Sequence, residues 1–170
     1  GYESANPKAI KKMDYARTLV AALSYLFLKQ SDSVGLYLFN DIITTPVPAR
    51  SKPTHFKHIL HELVMLTPQG ATKLESAIDS LAKQLLGRGI IILVSDLLTK
   101  ETEVEKKLNL LATKGTEVII FHILDSDEVS LPFEGDIIFE SLEDDSSISL
   151  NPVDIKETYQ REIQKKNQTL

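Results

Sequence analysis

The chain has 170 residues and 19.0 kDa, with 19 Lys and Arg against 24 Asp and Glu, a formal charge of −5. That length is one domain by the usual prior and buries enough surface to need no covalent staples. The acidic balance argues against a general nucleic-acid binder, and the absence of cysteine excludes disulfides, thiolate metal sites and a cysteine nucleophile. No apolar run approaches the length of a membrane span, and Gly1 to Lys12 lacks the apolar core of a signal peptide. The expectation is a compact cytoplasmic domain that does not itself insert into a membrane.

From Asp14 to Lys29, Leu19, Val20, Leu23, Leu26 and Phe27 recur at three and four, a helical period. Ala21, Ala22, Tyr25 and Leu28 widen the stripe, so this helix should be buried on more than one side. Val34 to Phe39 reads as a strand, and Ile42 to Val47 as its hairpin partner. Pro46, Pro48 and Pro53 mark a loop after it. Thr54 is placed to cap a helix running to Leu66. Thr72 with Glu75 forms a capping-box pattern for the next helix, which stops at Gly87.

Ile90 to Val94 is a short, uniformly apolar strand of the kind buried on both faces of a parallel sheet. Thr99 to Lys114 is a helix ended by Gly115, and Val118 to Leu124 repeats the buried-strand composition. Ile137 to Phe139 is a further strand. Asn151-Pro152 opens a last helix with a narrow stripe of Ile155, Tyr159 and Ile163. Strands alternating with helices predict a three-layer α/β domain, a largely parallel Rossmann-like sheet with helices on both faces. Such a sheet normally begins with a central apolar strand, and nothing before Asp14 has that composition. The first strand is therefore expected to be missing from this chain. The strands at Val34 and Ile90 should then pair directly, or another segment should fill the slot between them.

Function in open parallel sheets sits beyond the carboxyl ends of the strands. The polar residues there are Asn40, Asp41, Ser95, Asp96 and Asp125, with Thr72 at a helix start. Hydroxyl and carboxylate oxygens suit Mg²⁺, whereas acids at strand ends also serve as helix caps. His55, His58 and His61 lie three apart on one helix and are expected to point to water rather than to hold zinc. His122, in a buried-type strand, is expected to be a hydrogen-bonded core residue. Asp125 to Asp145 holds nine acids and no Lys or Arg, either a solvated loop or a docking face for a basic partner. No nucleophile elbow, phosphate-cradling glycine loop or Walker lysine is present.

The stretches Lys12-Met-Asp-Tyr-Ala16, Ala21-Ala-Leu-Ser-Tyr-Leu26, Asp32-Ser-Val-Gly-Leu36, Leu38-Phe39, Gly70-Ala-Thr-Lys-Leu74 and Leu93-Val-Ser-Asp-Leu97 resemble one uncharacterised bacterial family of von Willebrand factor A-like domains. The tail Leu131-Pro-Phe133, Phe139-Glu140 and Leu150-Asn-Pro152 extends the resemblance over nearly the whole chain. Members are typically encoded beside MoxR-type AAA+ ATPases, and related operons include the Bacteroides aerotolerance genes. The resemblance implies a single von Willebrand factor A-like domain over residues 1–170, a fragment of a longer protein. It further implies a non-enzymatic interaction module, an accessory or adaptor whose partner is such an ATPase or its client, with self-association possible.

The wider superfamily holds Mg²⁺ at a metal-ion-dependent adhesion site, and Thr72 and Asp96 match two of its ligand positions. The Asp-x-Ser-x-Ser motif that supplies the other ligands would precede Gly1. Mg²⁺ is thus expected in the intact protein and no tight binding by this chain. The rival from another class is a phosphoacceptor domain of the response-regulator type. It would expect a lysine after its fifth strand, where Asp125 follows Leu124 here.

Overall fold

The computed structural model describes residues 10–39, 43–67, 74–84, 88–97, 101–113, 115–125, 127, 129, 137–140 and 147–150. In chain order these form α1 (Lys12–Lys29), β1 (Val34–Phe39), β2 (Ile43–Arg50), α2 (His55–Met65), α3 (Leu74–Gln84), β3 (Gly89–Ser95), α4 (Glu101–Thr113), β4 (Thr116–His122), β5 (Ile137–Glu140) and β6 (Ser147–Leu150). The chain divides into two compact units, one of residues 13–123 and one of 1–12 with 124–170.

In the larger unit α1 follows its predicted period and closes in a Schellman motif. The Asp32 N–H donates to Phe27 O at 3.0 Å and the Ser31 N–H to Leu28 O at 3.1 Å. Ser31 is left-handed, at φ 68°, where a Cβ meets the following carbonyl and glycine does not. Ser31→Gly is therefore expected to raise the unfolding free energy in urea by about 0.5–1 kcal/mol, net of the entropy glycine adds to the unfolded chain. The helix is less covered than its composition predicts. Ser24 and Leu28 are buried, whereas Tyr25 and Leu26 remain about half exposed.

β1 and β2 pair antiparallel, with Leu36 opposite Val47 and Tyr37 opposite Pro46. The pairing shifts register between Val34 and Leu36, around Gly35. A Cβ at Gly35 would lie 3.0 Å from Val47 O and 3.1 Å from Ala49 N, so this close approach needs glycine. β2 continues through Pro46 and Pro48, which the sequence assigns to a loop boundary. Two residues apart in an extended strand, both prolines lack an N–H toward the same side. An edge strand tolerates that on the side away from its partner.

α2 begins without the expected threonine cap. Thr54 makes no side-chain cap bond; instead the His55, Phe56 and Lys57 N–H groups donate to the carbonyls of Lys52, Pro53 and Thr54. One tight turn thus satisfies three of the four donors a helix start leaves open. Ile59 and Leu63 of α2 pack with Leu28 and Leu36 into one core cluster.

β3 and β4 pair parallel from Gly89 opposite Thr116 to Ser95 opposite His122, joined by α4 as a crossover unit. Gly115, at φ 81°, ends α4 as predicted, its N–H donating to Ala112 O at 3.0 Å. Leu74 and Ile78 of α3, Leu93 and Leu97, and Val104, Leu108 and Leu111 of α4 form a second core cluster, against which Phe39 of β1 also packs. Lys107 ties α4 to α3 through Glu75 O at 3.3 Å and the Asp79 carboxylate. β3 is not buried on both faces: Leu93 is buried, but Ile90 is 54% exposed.

In the smaller unit β5 and β6 form an antiparallel pair, Ile137 opposite Leu150 and Glu140 opposite Ser147; β6 carries no strand signal in the sequence reading. Among the described residues the strands make three two-stranded sheets. β1 and β3 are not paired with each other, which removes direct pairing from the two expected outcomes. Among the described residues, side-chain packing through α3 and no backbone ladder links the hairpin to the parallel pair.

Candidate functional site

Parallel pairing brings the carboxyl ends of β3 and β4 to one edge, and Asp96 stands there directly after Ser95. Its backbone is held from three directions. Ser95 O accepts the Ile123 N–H at 2.9 Å. The Leu97 N–H donates to Ser95 Oγ at 3.1 Å. His122 donates from Nε2 to Asp96 O at 3.1 Å. The carbonyl can only accept, so this contact fixes the proton on Nε2.

Leu97 is left-handed at φ 50°, an uncommon conformation for leucine. Its side chain, 3% exposed in the core, offsets that local strain by anchoring the turn. Asp96 itself is half-buried. The result is a carboxylate on a strand-end turn pinned by Ser95, His122 and a buried leucine. His122 is the hydrogen-bonded residue its strand predicts. Leu97 has no sequence signal, because leucine is among the last residues one would place in that backbone region.

Of the other candidates, Thr72, Asn40 and Asp41 lie outside the described residues. Asp125 belongs to the smaller unit, where its Oδ1 accepts the Asp127 N–H at 2.9 Å and its carbonyl accepts the Val129 N–H at 3.2 Å. That is a helix-capping arrangement, the bland alternative for a strand-end acid.

The histidine row is corrected in part. His58 and His61 are exposed as expected, but His55 is 3% exposed, bonded through Nε2 to Val34 O at 3.0 Å. His55 precedes Ile59 and Leu63 by four and eight residues, so it belongs to their buried stripe. Its ring meets His58 edge-on, centroids 6.1 Å apart. Among the described residues no group of three His, Cys, Asp or Glu could hold a metal ion. Asp96 alone does not satisfy a Mg²⁺ ion, which needs near-octahedral oxygen ligation.

Fold and site together define a mixed α/β protein with small sheets and an acidic residue on a fixed strand-end turn. Residues 3–169 match the family described as "Protein of unknown function DUF58", and the chain belongs to that family. It is 28% identical over 137 residues to the uncharacterized proteins Mb1516 of Mycobacterium bovis and Rv1480 of Mycobacterium tuberculosis. That alignment takes in 78% of this chain and 42% of each relative, so the matched region spans about two fifths of those proteins.

Among solved structures, the chain is similar to an aerotolerance-related membrane protein from Bacteroides fragilis with multiple mutations to serines. The TM-score is 0.58 at 20% identity, covering 90% of this chain and 76% of that one. It is also similar to the conserved hypothetical protein BatB from Bacteroides thetaiotaomicron, with a TM-score of 0.52 at 18% identity, covering 89% and 74%. These likenesses bear on the fold alone. No helix among the described residues is long and apolar enough to cross a membrane.

Proposed function

We propose that this domain is a non-enzymatic protein-interaction module of the von Willebrand factor A-like class, working in the cytoplasm as an accessory of a MoxR-type AAA+ ATPase. The observation that supports this best is the pinned turn at Asp96. On this reading the carboxylate, at the carboxyl edge of a parallel strand pair and on a fixed backbone, would contribute one oxygen to a shared cation. In the intact protein Thr72 and Asp96 would belong to a Mg²⁺ site, with the remaining donors supplied from outside the described residues.

The test is Asp96→Ala in the full-length protein, followed by thermal unfolding and by capture of the neighbouring ATPase, each with Mg²⁺ and with chelator. A ligand role predicts that Mg²⁺-dependent stabilisation and Mg²⁺-dependent capture both vanish in the variant. A capping role predicts a loss of roughly 0.5–2 kcal/mol, the same with or without metal, and would end the metal reading. Covalent labelling of Asp96 by acetyl phosphate would favour the phosphoacceptor alternative instead.

A further inference from the structure

We draw no further inference here: the strongest candidate, the open apolar face that α1 and α2 present between Ala21, Tyr25, Phe56, Leu60 and Val64, carries nothing, because nothing in the structure shows what covers it.

Discussion

Replacing Leu74 by alanine should lower the unfolding free energy by about 2–5 kcal/mol, read from the urea midpoint at constant m-value. Leu74 is 1% exposed, one of the two most completely buried large side chains among the described residues. The lost transfer energy and the residual cavity both count against the variant. Its position adds a second consequence. The β1–β2 hairpin and the β3–β4 pair share no ladder among the described residues, and Leu74 sits in the cluster that includes both Phe39 and Leu93. Amide exchange should therefore accelerate in β1 as well as in β3. A variant that loses protection in α3 alone would mean the hairpin is anchored elsewhere.

His55→Ala should cost about 2–4 kcal/mol, combining a buried cavity with an orphaned acceptor at Val34 O. His55→Leu separates the two. It restores apolar bulk to the stripe shared with Ile59 and Leu63 but leaves the carbonyl without its imidazole donor, so about 1–3 kcal/mol should remain. Because Nδ1 is already buried without a hydrogen-bond partner, the leucine variant also removes an existing penalty and should fall at the lower end. Urea unfolding of both variants checks this. Equal losses in the two would show that the hydrogen bond, not the packing, holds α2 against β1.

Much of this arrangement was legible in the residues, because period and punctuation are local properties. The three-and-four spacing of Leu19, Leu23 and Leu26 located α1. Gly115 marked the end of α4, and the Ile90–Val94 run announced a parallel strand. The carboxyl-edge logic led to Asp96 and Ser95. What escaped depends on partners distant in sequence. The spacing of His55 to His58 and His61 suggests a solvated row, whereas its spacing to Ile59 decides its face. Pro46 and Pro48 suggest a loop until the strand is known to be an edge. The left-handed Leu97 is set by burial from β3 and α4, which no local pattern encodes. Nor could periodicity separate an apolar helix enclosed by its own fold from one left partly open, as α1 is.

The prolines of β2 carry a last consequence, for the direction in which this sheet can grow. Among the described residues β2 pairs only with β1, and Pro46 and Pro48 take two donors from it, which makes its outer side a poor template for another strand or a neighbouring molecule. The opposite border of the hairpin, along Val34 to Phe39, contains no proline and no charged side chain. Extension is therefore one-sided. A segment that extends this hairpin, from this polypeptide or another, is expected to add beside Val34–Phe39. An engineered tag or insertion is accordingly safer on the proline side than next to β1.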